Sequence, residues 1–556
     1  MERAKGPLLT IDVGAREIRE TDIDDELESF IGGRGVATKL AHDRIPFDAD
    51  PLGPDNRAYI STGPFQQSEM SFTGRMNMTG LSPLTDGLLS TNAGGYLSRN
   101  FGGTGHPVVE IIGESEELLA VHVTDDGVTF EEVPELAEAH VPHVTEVMND
   151  RHGLEAENLI TIGPAGENLV RYACVMTYDS RAFGRGGLGA VLGAKNVKTV
   201  SFRGDSAPTV ELPDALQSTI HRDAATADDM MKRQGTTEGT QFIHDNFSLP
   251  TRYFSEMQFE SVEGINGDAV EEKKYKKAAC SVCAFACKLP TRDEERGLET
   301  EGPEFETVFA LGSNQGIGDV VDVMQSNELC DVLGLDTISA GNSIAAYLAA
   351  EDEFGNAELV HELLPKIAHR DGIGDLLAEG VARAHEELGV GNWSVKGLEF
   401  AAHDGRAIHG QGLSYAVANR GGDHMYSTML SPEYDGIVDP EGLSEEKVEL
   451  LVERENKMAI RDSGIICAFG IDDYVSETEV ATLLDTEWEQ LDAIGSRVVE
   501  LERRFNNRRG MDRDDDRLPY ELPDFEAALD RYYALRGWND DGTVPDAATS
   551  GAPADD

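Results

Sequence analysis

Three of the chain's six cysteines fall within eight positions, as Cys280, Cys283 and Cys287 in the segment AACSVCAFACKLP. The C-x2-C-x3-C spacing lets the first two thiols chelate across a tight turn and brings the third back one helical turn later. Any fold of this chain must therefore let three thiolates converge on one point. A 4Fe-4S cube takes four cysteines, so one of Cys174, Cys330 or Cys467 would have to be drawn in from a remote stretch, and spacing alone does not choose among them. Structural zinc on three cysteines and a distant fourth ligand is the competing reading. Six cysteines in 556 residues are too sparse for a disulfide scaffold.

Charge narrows the function. With 47 Lys+Arg against 103 Asp+Glu the formal charge is −56, a surface that repels phosphate and anionic lipid and excludes a nucleic-acid binder. Acidic disordered chains lack apolar residues, whereas 40% hydrophobic content in regular patterns is that of a folded protein. The acidic excess runs through loops, helices and tail alike. That distribution is expected of a protein working in concentrated salt, where the Debye length shrinks to about 3 Å. The N-terminal MERAKGPLLTIDVG has no apolar signal-peptide core, and no run reaches the roughly 18 apolar residues of a membrane span. A cytoplasmic location without membrane contact is expected.

The pattern along the chain indicates an α+β multidomain protein. Residues 1–204 carry short β-type runs (RAYIST, HPVVEIIG, LLAVHVT, NLITIG) between turn clusters, and predict a β-rich base domain. From about 208 helical periodicity takes over, as in LPDALQSTIHRDAATADDMMKRQ and GIGDLLAEGVARAHEELG. A boundary near Val390–Val395 divides two mainly helical domains, 205–392 and 393–540, the latter with Ser444 as an N-cap. Residues 541–556 read as a disordered acidic tail.

Two kinds of local motif suggest ligand binding. The stretch SRAFGRGGLGAVLGAKN formally matches a dinucleotide fingerprint at Gly184, Gly186 and Gly189. YDSRAF stands where the preceding strand should be, however, and Arg181 and Arg185 beside so many backbone N–H groups suit a broader anion nest. TNAGGYLSRNFGG and GRMNMTG are further Gly-rich turns. The second kind is a helix end that occurs twice. An apolar helix stops at Asp331-Val-Leu-Gly334-Leu335-Asp336, with Asp336 able to cap the next helix, and the outline Asp-x-x-x-apolar-ligand returns at Asp462-Ser-Gly-Ile-Ile466-Cys467. In the second copy the last residue is a thiol able to complete the cysteine cluster.

GGRGVATKLA, GRMNMTG, NAGG, RAFGRGGLGAVLGAKN, EGPEFET, CSVCAFAC, DVLGLD, NRGGDH and DSGIIC occur in an order that resembles the tungsten-dependent aldehyde:ferredoxin oxidoreductases, over residues 7 to 535 or so. The resemblance implies a β-rich base for two metal-binding pterins covered by two helical domains. By matching motifs, Arg75, Asn92, Ala93, Gly94, Arg181, Ala182, Gly184 and Arg420 would contact pterin or its phosphates, with magnesium bridging the phosphates. Asp331, Leu335 and Asp336 would hold one pterin, and Asp462, Ile466 and Cys467 the other. Cys280, Cys283, Cys287 and Cys467 would bind the 4Fe-4S cluster. One departure stands out. Ile465 and Ile466 occupy the place of the usual Gly-Leu. A homodimer is an expected partner state.

The resemblance further implies oxidation of a small aldehyde to the carboxylic acid, with water as oxygen source, at a tungsten or molybdenum bis-pterin. Electrons would leave through the cluster to a ferredoxin. Glu306 of EFET and His424 of GGDH align beside the metal, with His424 donating to the aldehyde oxygen and Glu306 accepting a proton. The alternatives are a nicotinamide dehydrogenase using GRGGLG and a non-catalytic iron-sulfur carrier or zinc-stabilised scaffold.

Overall fold

The computed structural model describes residues 1–178 and 180–546. Its first 203 residues form two six-stranded mixed sheets. The first contains β1 (Leu8–Asp12), β2 (Glu17–Thr21), β3 (Ala58–Ser61), β4 (Met76–Leu81), β5 (Leu88–Ala93) and β6 (Val108–Ile112), in the order β2-β1-β6-β3-β4-β5. The second contains β7 (Leu119–Thr124), β8 (Gly127–Glu132), β9 (Leu159–Thr161), β10 (Val175–Thr177), β11 (Arg181–Phe183) and β12 (Val197–Arg203), in the order β11-β10-β9-β12-β7-β8.

Alternation along the strands makes the first sheet a middle layer. Leu9, Ile11, Ile60, Val109 and Ile111 point to a core shared with Val121, Val123, Ile160 and Val200 of the second sheet. Leu8, Tyr59 and Val108, one position out of phase, join a different core with the C-terminal helices. At the far end of this sheet β4 and β5 bury polar side chains, among them Asn77, Thr79, Ser90 and Thr91, beside the apolar Met76, Met78, Leu88 and Leu89. Asn77 Nδ2 donates to Ser90 Oγ at 2.7 Å and to Asn92 Oδ1 at 2.9 Å. Polar groups are buried at this cost where a polar ligand or partner surface has to be met.

The helical remainder builds two cores. One gathers Phe305–Leu311, Val320–Leu333, Thr337–Glu351, Ala357–Ala368 and Val381–Leu388. The other packs Glu445–Gly464, Trp488–Arg508 and Phe525–Arg536 against the N-terminal helix Gly33–Arg44 and the first sheet. The two cores interleave in sequence. Ile220 and Ala224 of the helix Asp214–Thr226 belong to the C-terminal core, and the other core continues past residue 392 to Tyr415. Arg34, 1% exposed, ties the halves together through a two-bond pair with Glu502, 2.8 Å on each arm.

Three local expectations are refined. The helical run from Leu212 to Gln234 is two helices, Asp214–Thr226 and Met231–Gln234. A strand does lead into the Gly-rich loop, since β11 stops at Phe183 and the helix Leu188–Ala194 follows. That strand is an edge strand, antiparallel to β10. Successive antiparallel pairings through β10 and β9 leave it opposed to β12, so the parallel βαβ unit of a dinucleotide fold is not made here. Finally, residues 541–546 of the expected acidic tail turn back onto the body. Arg503 Nε donates to Gly542 O at 2.8 Å, and Val544 N donates to Asn507 Oδ1 at 3.0 Å. The rest of that tail, 547–556, lies outside the described residues.

Candidate active site

Cys280, Cys283, Cys287 and Cys467 line one cavity together with Phe72, Gly74, Arg75 and Lys288. The loop achieves this with two residues in the left-handed region, Val282 (φ 51°) and Ala286 (φ 54°), a costly conformation that turns the thiols inward. Cys467 is pinned from the other side, its N–H donating to Phe72 O at 2.8 Å. Gly95 N–H reaches Cys280 Sγ at 3.3 Å. A Cβ on Gly94 would lie 3.0 Å from the same sulfur, and one on Gly74 would lie 2.9 Å from Cys280 Cβ, so both glycines are cut to the shape of this wall. Cys174 and Cys330, the other two candidates, are buried elsewhere. Burial pushes the Cys287 thiol up to about 12 despite the adjacent Lys288, and raises Cys283 as well. A cationic metal core bound by the four sulfurs would reverse that penalty, so the donor set fits an iron-sulfur cluster.

Arg75 joins this cavity to the second helix end. Its guanidinium loses hydration, yet Cys467, Cys280 and Asp462 together hold its charge in place, and Nη2 donates to Asn92 O at 2.9 Å. Asp462 accepts from Asn92 Nδ2 at 2.7 Å and from Arg461 at 2.8 and 3.0 Å, with Arg34 Nη1 at 3.4 Å. The helix Glu445–Gly464, capped by Ser444, carries Asp462 within its last turn rather than beyond it. Ile465 then adopts φ 58°, where the first copy has Gly334 at φ 75°. The turn is thus kept without the glycine, and Ile466, 2% exposed, faces the core.

At the first helix end Asp331 also lies in a last turn, that of Val320–Leu333, and accepts from Asn327 Nδ2 at 3.1 Å. Burial, with Glu328 adding, pushes its carboxyl well above the usual range, and Arg181 opposes only in part. Leu335 bridges Ala173 as an isolated β-bridge, and Asp336 caps the next helix through Ser339 N–H at 3.0 Å. In β11, Arg181 pairs with Glu301 and lies 3.8 Å from Glu304, while Ala182 is in register with Met176. Gly184 O accepts from Thr91 Oγ1 at 2.8 Å, stitching the Gly-rich loop to the first sheet.

Arg185, Gly186 and Gly187 follow, all with positive φ. Arg185 donates to Glu399 O, but its Nε and Nη1 are buried without a hydrogen-bond partner, Nε lying 3.5 Å from Asp336 Oδ2. Arg420 contacts Ser90 O at 2.8 Å and Asp423, and leaves Nε unsatisfied. Orphaned guanidinium nitrogens above the polar stripe of β4 and β5 fit an anionic, multiply hydrogen-bonding group such as a phosphorylated pterin.

His424 Nε2 lies 3.0 Å from Glu306 Oε1. Burial would raise the Glu306 carboxyl, but the His424 hydrogen bond and charge, with His403 beyond, hold it below the ordinary carboxylate range. Asp423 accepts the N–H groups of Met425 and Tyr426, each at 2.8 Å, and the Arg420 pair, which fixes the loop bearing His424. His424 Nδ1 is buried and unpartnered. Glu306 sits in the first turn of a helix whose N-cap, Glu304, lies 3.4 Å from Lys288, the neighbour of Cys287. The acid–base pair and the thiol cavity are therefore adjacent parts of one site.

Sequence reasoning did not single out His403. Its ring, 5.7 Å from that of His424 and pushed down to about 3 by burial and the His424 charge, completes a cluster with Glu306 and His424. No spacing or motif marks it, because it reaches the cluster only through tertiary packing against Phe305. Arg34, within GGRGVATKLA, stacks 3.6 Å over the Tyr426 ring.

A thiol-lined cavity, a polar cradle with free guanidinium nitrogens and a buried acid–base pair define an oxidoreductase site built for a large redox cofactor. Residues 8–204 match the aldehyde ferredoxin oxidoreductase N-terminal domain, and residues 211–550 match aldehyde ferredoxin oxidoreductase domains 2 and 3. The chain is 32% identical to the tungsten-containing aldehyde ferredoxin oxidoreductase of Pyrococcus furiosus and 33% identical to that of Thermococcus kodakarensis, over 97% of this chain and 97% of each relative. The active-site complex BamBC of benzoyl coenzyme A reductase, solved with 1,5-dienoyl-CoA, shares the fold with a TM-score of 0.82 at 21% identity, covering 98% of this chain and 96% of that one. This chain belongs to the aldehyde ferredoxin oxidoreductase family.

Proposed function

We propose that this protein oxidises a small aldehyde to the carboxylic acid, taking the oxygen from water and delivering electrons to a ferredoxin. The observation that carries this reading is the second helix end, where Cys467 faces the other three thiols while Asp462 faces Asn92 and Arg34. One turn thereby serves a cluster site and a cofactor cradle at once. Cys280, Cys283, Cys287 and Cys467 would hold a 4Fe-4S cluster. Arg75, Asn92, Ala93, Gly94, Arg181, Ala182, Gly184, Arg185 and Arg420 would hold the pterins and their phosphates, with magnesium between the phosphates. Asp331, Leu335, Asp336, Asp462 and Ile466 would meet the ring edges. When bound, the tungsten or molybdenum bis-pterin supplies the two-electron acceptor, and the cluster supplies the one-electron exit.

The chain's own residues orient the aldehyde and manage its protons. His424, donating from the ring that pairs with Glu306, polarises the carbonyl oxygen. Glu306, held ionised by that pairing, takes up the proton released as water adds. His403, pushed down to about 3 by burial and the neighbouring His424, adds no competing charge near neutral pH. Phe305 packs its ring against that of His403, 4.9 Å between centroids.

Purified protein should carry about one tungsten or molybdenum and about four irons per chain. Glu306→Gln should lower turnover about 10²- to 10⁴-fold with metal content unchanged. Unchanged turnover in a fully loaded variant removes Glu306 from the reaction, and zinc in place of iron in the native enzyme ends the whole reading. The charge of −56 further supports operation in concentrated salt.

A further inference from the structure

The second sheet carries a group of ligating side chains that the redox site does not use. His122 on β7 and Glu131 on β8 lie on the sheet face covered by the helix Val141–His152, away from the core between the sheets. His152, the last residue of that helix, meets them. His122 Nε2 is 3.2 Å and His152 Nε2 is 2.7 Å from the same oxygen, Glu131 Oε2. One ligand atom from each of the three lies within 4.8 Å of the others.

We propose that His122, Glu131 and His152 bind a borderline transition-metal dication of the zinc class, fastening the helix Val141–His152 to the second sheet. Two imidazoles and one carboxylate are donors that zinc prefers and that calcium and magnesium do not. Bonds of about 2.0–2.1 Å in a tetrahedron place neighbouring donor atoms about 3.3 Å apart. The His122–Glu131 separation, 3.2 Å, already meets this, and the His152 ring must open from 2.7 Å by about 0.6 Å.

His122 is also oriented as a ligand should be. Its Nδ1 lies 2.8 Å from Ser201 Oγ, a hydroxyl that can accept Nδ1–H and so free Nε2 to carry the lone pair toward a bound metal. Arg151 occupies the other carboxylate oxygen, Oε1, at 2.8 Å and reaches on to Glu135, so Oε2 stays turned to the two rings. The helix C-terminus at His152 favours a cation, and the acidic surface concentrates cations around it. His152 is 39% exposed on its side chain, giving a path of entry and a fourth position for water.

The test is equilibrium dialysis of the iron-loaded holoenzyme against zinc chloride, followed by elemental analysis, so that the thiols do not compete. The native protein should take up one zinc per chain beyond its resident metals. His122→Ala and His152→Ala should weaken that uptake by more than about 100-fold, and Ser201→Ala should weaken it about tenfold. Aldehyde oxidation should be unchanged in all three variants, since none of these residues touches the redox site. Uptake that persists in the folded, active double variant His122→Ala/His152→Ala overturns the proposal, as does native protein that takes up no zinc. Failure here leaves the aldehyde oxidation reading untouched, because that reading is measured by tungsten, iron and turnover.

Discussion

The two helix ends share a backbone outline and differ in almost everything attached to it. In both, an aspartate sits in the last helical turn, a left-handed residue reverses the chain, and an apolar residue plugs the core. The first end then places Asp336, which caps another helix, and the second places Cys467, which joins the thiols. Asp331 has one amide donor and a poorly compensated carboxyl. Asp462 is ringed by Asn92, Arg461 and Arg34. A repeated turn thus supplies position, while the neighbours decide what each position does. At one end burial works against the carboxylate charge, and at the other the carboxylate is locked among cations.

The widest separation between the ends should come from their last residues. Cys467→Ser removes one of the four thiols proposed to hold the iron-sulfur cluster and should abolish its assembly, with iron lost and activity down more than about 1,000-fold. Asp336→Asn, at the equivalent position, should leave iron content intact and weaken the helix cap by about 1 kcal/mol or less. Metal analysis of the two purified variants decides the matter, and full iron in Cys467→Ser would dissolve the distinction. Next in size is the aspartate pair. Asp462→Ala leaves Arg461 buried without its partner and should cost about 3–5 kcal/mol in denaturant unfolding. Asp331→Asn removes a carboxyl already disfavoured as an anion and should cost less than about 1 kcal/mol. Equal losses would show that the surroundings do not differ as described.

The shared outline was legible in the sequence because it is local, written in Asp331, Gly334 and Asp336 and again in Asp462 and Cys467. The α+β order was legible for the same reason, since alternation and helical periodicity are properties of short windows. The fourth thiol, Cys467, was marked by the repeated outline and the family resemblance, and not by spacing. Cys174, Cys330 and Cys467 are equivalent on spacing, and the choice depends on packing between segments nearly two hundred residues apart. His403 and the orphaned Arg185 nitrogens are long-range in the same way, meeting Glu306 and Asp336 only after the helical core has closed. The strand before the Gly-rich loop was hidden for a different reason. Three residues, Arg181–Phe183, are too short to show a period, and only pairing with β10 makes them a strand.

A smaller contrast is expected with pH. The Asp331 carboxyl is raised in the folded protein from an ordinary value of 3.8. The native state therefore keeps a proton that the unfolded chain releases, and the stability tied to this group is lost as pH rises from about 3.8 through the raised value. Asp331→Asn cannot lose that proton. Its stability relative to the native sequence should climb over this window, by at most about 1.4 kcal/mol per pH unit. Urea unfolding at successive pH values measures the difference, and a flat difference would mean that Asp331 is solvated like an ordinary surface acid.

The narrowest contrast between the two ends concerns the reversing residues. Gly334 has φ 75°, and a Cβ there would lie 2.9 Å from Gly163 N. Gly334→Ala therefore adds both backbone strain and a backbone clash and should destabilise by about 1–3 kcal/mol. Ile465 already bears the strain of φ 58° while burying its side chain to 1% exposure beside the start of the helix Gly33–Arg44. Ile465→Gly relieves about 1–2 kcal/mol of strain and forfeits about 1.5–3 kcal/mol of burial, so the net change should stay near 1 kcal/mol. The second end keeps its turn because the β-branched residue gains in the core what it loses in the backbone. If Ile465→Gly proves as damaging as Gly334→Ala, the burial at position 465 outweighs the strain outright, and the isoleucine is there for packing alone.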